Sequence, residues 1–145
     1  MQYHWYYFLG YVWSLPGTVL GLLLALVYRP KKWRWSQGCL EAIGGDKIWG
    51  KPGAQTHGWI IYYRDERAQA NEVLRVHERV HVIQAFIGGI FYMLIYGGHF
   101  LWNWARDDFG PWVRAYRKIC WEKQAYHIDA EFEAGQRPGA WGSFG

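Results

Sequence analysis

A chain of 145 residues has room for one domain with its own core and not for two of ordinary size. Its apolar fraction of 51% and aromatic fraction of 20%, with 11 Trp and 11 Tyr, favour an interfacial protein, because these rings collect where one end is dry and the other wet. The net charge of +4 is modest and the cations are scattered apart from Arg29-Pro30-Lys31-Lys32-Trp33-Arg34, which excludes a nucleic-acid-binding stripe.

Residues 5–28 carry no charge, a run of about 24 positions that is long enough to cross a hydrocarbon layer as a helix. No basic region precedes this run and no small-residue cleavage site follows it, so it is expected to persist in the mature protein. Arg29, Lys31, Lys32 and Arg34 on its flank read as a membrane anchor, placing that end and the following domain on the cytoplasmic side. Pro16 kinks or divides the run, giving a bent helix or a hairpin. A buried core helix of a soluble domain is the alternative, which a mean hydropathy of −0.23 keeps open. The expected organisation is an apolar, membrane-associated segment over 1–34, a domain over 35–134, and a flexible glycine-rich tail over 135–145.

Between Trp35 and Arg64 short apolar runs, 39–43 and 58–63, alternate with Gly and Pro. They predict two or three strands in a small antiparallel sheet, with Gly44-Gly45-Asp46 as a turn and Trp49-Gly50-Lys51-Pro52-Gly53 as a longer loop. Cys39 and Cys120 are far apart and outside any C-x-x-C pair, so they read as reduced thiols rather than a disulfide or a zinc knuckle. The strand over 58–63 is a candidate for pairing with an extended substrate along its edge.

From about Ala68 the period becomes helical, with Val73, Val76, Val80 and Ile83 recurring at spacings of three and four. After His81 no charge appears through Ala105. This stretch is interrupted by Gly88-Gly89 and Gly97-Gly98, of which the second pair is expected to end or bend a helix. It is either a second membrane-embedded stretch or a helix buried on all faces. A third helical stretch, 111–132, opens with a proline in its first turn and is amphipathic. The fold class is therefore α+β: an N-terminal apolar helix or hairpin, a small sheet, a helix carrying the motif described next, and a further helix.

That motif is His77-Glu78-Arg79-Val80-His81. Residues four apart on a helix stand one above the other, so the two imidazoles can share one ion, while Glu78 is rotated off the ligand positions and can act as a general base toward water. With 6 His in the chain, such a string arises by chance on the order of once in a hundred sequences of this composition. Surface histidines are a poor alternative, because both sit beside the valine stripe. Gln84 continues the histidine stripe and could hold a ligand from behind or bind a substrate backbone group.

A catalytic zinc takes three protein ligands and an open position. Glu122 is the preferred third ligand, in Trp121-Glu122-Lys123-Gln124-Ala125-Tyr126, where Ala125 would let that helix approach the motif helix closely; His127, Asp129, His99 and Asp107 are rivals. Two imidazoles and a carboxylate with an open position fit zinc best among first-row ions.

The string His77-Glu78-x-x-His81-x-x-Gln84, the glycine- and aromatic-rich stretch after it, then Tyr116 and Glu122-x-x-Ala125, resembles the gluzincin-like metallopeptidase domains of small bacterial and phage proteins. Gly53, Thr56 and Gly58, and Leu15-Pro16-Gly17-Thr18 with Gly21, are similar to that group as well. The resemblance implies zinc held by His77, His81 and Glu122 and Glu78 as catalytic base, with no settled substrate for the group; the expected activity is hydrolysis of peptide bonds in a peptide or protein substrate. It names no oxyanion-stabilising residue, for which Tyr116, Tyr126 and His127 are the candidates. The competing expectation is a non-catalytic membrane or virion component with a closed structural zinc, recognisable by a fourth ligand from His127 or Asp129.

Overall fold

The computed structural model describes residues 5–45 and 53–135, so the expected 49–53 loop, apart from Gly53, and the tail beyond Gly135 lie outside the described residues. The charge-free N-terminal run is two helices, α1 (Trp5–Trp13) and α2 (Leu15–Tyr28), broken at Ser14. Pro16 sits in the first turn of α2, where its missing N–H is not needed, so it starts a second helix instead of kinking one. Arg29 ends α2 in the left-handed conformation with φ 48°.

Four strands follow: β1 (Lys32–Ser36), β2 (Cys39–Ile43), β3 (Ala54–His57) and β4 (Ile60–Tyr63), in the spatial order β1-β2-β4-β3. β1–β2 and β3–β4 are antiparallel, but β2 and β4 run parallel, so the sheet is mixed where an antiparallel one was expected. All four residues of β4 are buried, and a strand apolar on both faces takes an interior position. The proposed edge pairing of 58–63 is therefore closed off, and the edges belong to β1 and β3. Because β1 occupies Lys32–Ser36, the boundary drawn at 34/35 falls inside a strand, and the supposed membrane flank is partly sheet.

Alternation along the strands builds two cores. Cys39, Ile43, Ile61 and Tyr63 face one way and pack with Val82; Ala42, Ile60 and Tyr62 face the other way and pack with Tyr28 of α2. α2 approaches the sheet through small residues. Gly58 has φ 61°, and a Cβ there would fall 2.1 Å from Thr18 Oγ1, so only glycine admits this helix to the β3–β4 turn. Tyr62 donates its hydroxyl to the Gly21 carbonyl at 2.8 Å across the same contact.

The C-terminal half is helical: α3 (Glu66–Ala70), α4 (Glu72–Gly88), α5 (Ile90–Arg106), α6 (Trp112–Arg117) and α7 (Cys120–Glu133). The helix expected from about Ala68 is thus two, because Asn71 adopts an extended conformation and caps α4, its side chain accepting from the Leu74 N–H at 3.1 Å. The 111–132 stretch is likewise divided, into α6 and α7. The break after α4 comes at Gly88-Gly89, while Gly97 and Gly98 lie inside α5. Gly89 has φ 52°, and a Cβ on it would overlap the Trp13 indole, so the first glycine pair is where two helices are forced to turn. α4 and α5 meet at a bend of 114°, and no single helix among the described residues is long and apolar enough to cross a membrane.

Candidate metal centre

α4 lies between the sheet and α7, and its faces divide accordingly. Val82 and Leu74 face the sheet; Val80 packs with Ala125 and Ile128 of α7, joined by Val76. Ala125 is fully buried, and its small side chain lets the two helices close on each other, as its position in the sequence predicts. His77, His81 and Gln84 form the α4 stripe along this seam; Glu122, Ala125 and Asp129 form the facing α7 stripe.

His77, His81 and Glu122 each present one ligand atom within 4.8 Å of the others, and all three residues are buried. The two Nε2 atoms are 3.2 Å apart, with Glu122 Oε1 at 3.3 Å from His81 Nε2 and Oε2 at 3.6 Å from His77 Nε2. Glu122 stands in the first turn of α7, where the helix dipole favours a carboxylate.

The groups behind the ligands decide which nitrogens carry protons. Gln84 Nε2 donates to the Trp121 carbonyl and to Gln124 Oε1, each at 3.0 Å. A carbonyl only accepts, so Gln84 Oε1 must be the atom turned to His81 Nδ1, 2.8 Å away, and that nitrogen must carry the hydrogen. On His77, Nδ1 donates to Asp129 Oδ2 at 2.7 Å. Both imidazoles therefore turn Nε2 toward one shared point. Two lone pairs at that separation repel unless a cation or a proton stands between them. Glu122 Oε2 is buried without a hydrogen-bond partner beside the same point. This donor set fits a divalent metal ion, with Asp129 and Gln84 orienting its ligands from behind.

Electrostatics follow from that convergence. Burial alone would lower the His77 imidazole, but its bond to Asp129, the adjacent Glu122 carboxylate and the nearby Glu78 charge outweigh it and lift the group to about 10. His81 is raised against burial by Glu122 and Glu78. Burial would raise the Glu122 carboxyl, yet His77, His81 and Tyr96 hold it well below the usual carboxylate range.

Glu78 is not part of the ligand group. It is buried, its carboxylate accepts from Thr56 Oγ1 at 2.7 Å, and burial pushes its pKa up against the lowering effect of the two histidines. Thr56 belongs to β3, so an edge strand of the sheet runs beside this carboxylate.

Of the rival ligands, Asp129 bonds the far nitrogen of His77 and His127 is exposed on α7, paired with Glu131. His99 accepts from the Cys120 N–H, and Asp107 pairs with Lys118. Among the described residues the cluster holds three ligand residues and no fourth. Tyr126 meets the His77 ring at a 55° tilt, with centroids 5.0 Å apart, and Tyr116 is turned to Glu122. The sequence reading missed two tyrosines: Tyr96 donates to Glu122 Oε1 at 2.7 Å, and the Tyr92 hydroxyl stands 3.4 Å from His81 Nδ1. Their i,i+4 spacing puts two hydroxyls on one face of an otherwise apolar helix, a signal masked by reading 82–105 as uniformly hydrophobic.

No protein family matches this chain, nor does any curated protein or solved structure.

Proposed function

We propose that this chain is a gluzincin-like zinc metallopeptidase. The observation that carries the reading is the separation of roles on one helix turn: His77 and His81 converge with Glu122, while Glu78 stands beside that group, outside it, and bonded to Thr56. When bound, zinc supplies Lewis-acid polarisation of the scissile carbonyl and makes water a better nucleophile at neutral pH. Glu78 takes a proton from the attacking water as its oxygen bonds to the carbonyl carbon, then passes that proton to the leaving amine nitrogen as the C–N bond breaks. A buried carboxylate with a raised pKa suits both halves of that transfer. Tyr96 and Tyr116, whose hydroxyls are turned to Glu122, are the candidates to donate toward the oxygen that gains charge. β3, an edge strand among the described residues, takes the part of pairing with an extended peptide that was first assigned to residues 58–63.

A closed, structural zinc site in a membrane or virion component is the second reading, and the burial of all three ligand residues favours it. Elemental analysis and a peptide-library digest, run on the wild type and three variants, test the first reading. The expected result is stoichiometric zinc in the wild type, loss of zinc in His77→Ala and Glu122→Ala, and retained zinc without cleavage in Glu78→Gln. Metal-free folded wild type, or loss of zinc in Glu78→Gln, overturns it. The second reading predicts that the cobalt-substituted protein keeps its visible spectrum when a hydroxamate is added, whereas an open site shifts it.

A further inference from the structure

The apolar helices of this protein are built the wrong way round for water. A soluble helix buries its large apolar residues and exposes polar ones. In α2 the face against the sheet is Gly17, Thr18 and Gly21, while Leu15, Val19, Leu22, Leu23 and Leu26 are exposed, Leu26 at 74%. In α5 the inner face carries Tyr92 and Tyr96, and Ile90, Phe91, Leu94, Ile95, Leu101 and Trp102 form an exposed stripe, with Leu94 at 70%. The two stripes join where Trp13 of α1 packs edge-on against Phe91, with ring centroids 6.2 Å apart.

Charge identifies what covers this face. No Asp, Glu, Lys or Arg occurs in α1 or α2, and α5 has only His99 ahead of its last residue, Arg106. Both long stripes then run out into a cation: α2 into exposed Arg29, α5 into exposed Arg106, which exposed Asp108 follows two residues on. Lys32 is already paired with Glu66 and adds little. A broad apolar face edged by positive charge and tryptophan complements a bilayer, with side chains in the acyl region and cations at anionic headgroups.

We propose that the exposed faces of α1, α2 and α5 form a lipid-docking surface for anionic membranes. Tyr92 and Tyr96 line the metal centre from the opposite side of α5, so the centre lies about 10 Å, one helix diameter, from the lipid-facing surface. The surface itself does not depend on the peptidase reading.

Flotation of the full chain, made without detergent, with vesicles of phosphatidylcholine alone or with 30% phosphatidylglycerol tests the proposal. The expected result is flotation with both, several-fold stronger with the anionic vesicles. Leu26→Glu combined with Leu94→Glu should abolish flotation, and Arg29→Glu should remove most of the anionic preference. Circular dichroism and zinc content of each variant show that fold and metal centre are intact. His77→Ala should float like the wild type, which separates failure of the surface from failure of the metal reading. Protein that remains with the lipid-free fraction overturns the proposal. So does a dimer in light scattering that Leu26→Glu with Leu94→Glu dissociates and that does not float.

Discussion

Gln84 shows how much of the centre hangs on groups that never meet a metal. Its amide is locked by the Trp121 carbonyl, and that fixes the tautomer of His81; Asp129 does the same for His77. Asp129→Ala and Gln84→Leu should each weaken metal binding about 10- to 100-fold without abolishing it, as measured by chelator competition. Unchanged affinity in both would mean that the histidines are oriented by helix packing alone. His57 is a different kind of imidazole: the residue is half-buried, neither of its buried ring nitrogens has a hydrogen-bond partner among the described residues, and burial lowers it from 6.5 to about 4. The unfolded chain therefore binds a proton that the folded chain refuses between those values. Stability should fall as pH drops through that window, by on the order of 3 kcal/mol, and level off below it. His57→Leu should flatten this slope in urea titrations from pH 7 to 4, and an unaltered slope would remove His57 as its source.

Among the elements, the docking of α2 on the β3–β4 turn is the contact most exposed to a single atom. Gly58→Ala would combine a left-handed φ with a clash against Thr18, and should cost about 3 kcal/mol of unfolding free energy in denaturant. A loss under 0.5 kcal/mol would show that α2 can shift away from the sheet without penalty. The turn from α4 to α5 obeys the same kind of constraint, since Trp13 fills the space a side chain on Gly89 would need. Which of two glycine pairs breaks a helix is not readable from the pairs themselves. It depends on a residue 76 positions earlier in the chain, whereas Gly97 and Gly98 have open space around them and continue the helix. β4 gives a similar lesson. Its residues suit a strand by propensity, but its interior position and its parallel pairing with β2 come from burial on both faces.

Across the whole molecule, polar chemistry and apolar surface are sorted to opposite sides of α5, with the tyrosines inward and the leucine and tryptophan stripe outward. The α+β class, the motif helix and the close approach of the Glu122 helix through Ala125 were all legible in residue order, because a 3.6-residue period and a small residue at a contact are local signals. The His77, His81 and Glu122 grouping was legible for the same reason, two of its members being one helical turn apart. What residue order could not carry was the partner of each ligand and the side of each apolar helix that faces inward. Tyr96 reaches Glu122, Thr56 reaches Glu78 and Asp129 orients His77 instead of joining the ligands only once α5, β3 and α7 have packed around α4. Periodicity reports which residues share a face. Only the packing of distant segments says what that face meets, because those contacts are set by where elements can close on one another, as at Gly58 and Gly89, and not by any pattern within the element itself.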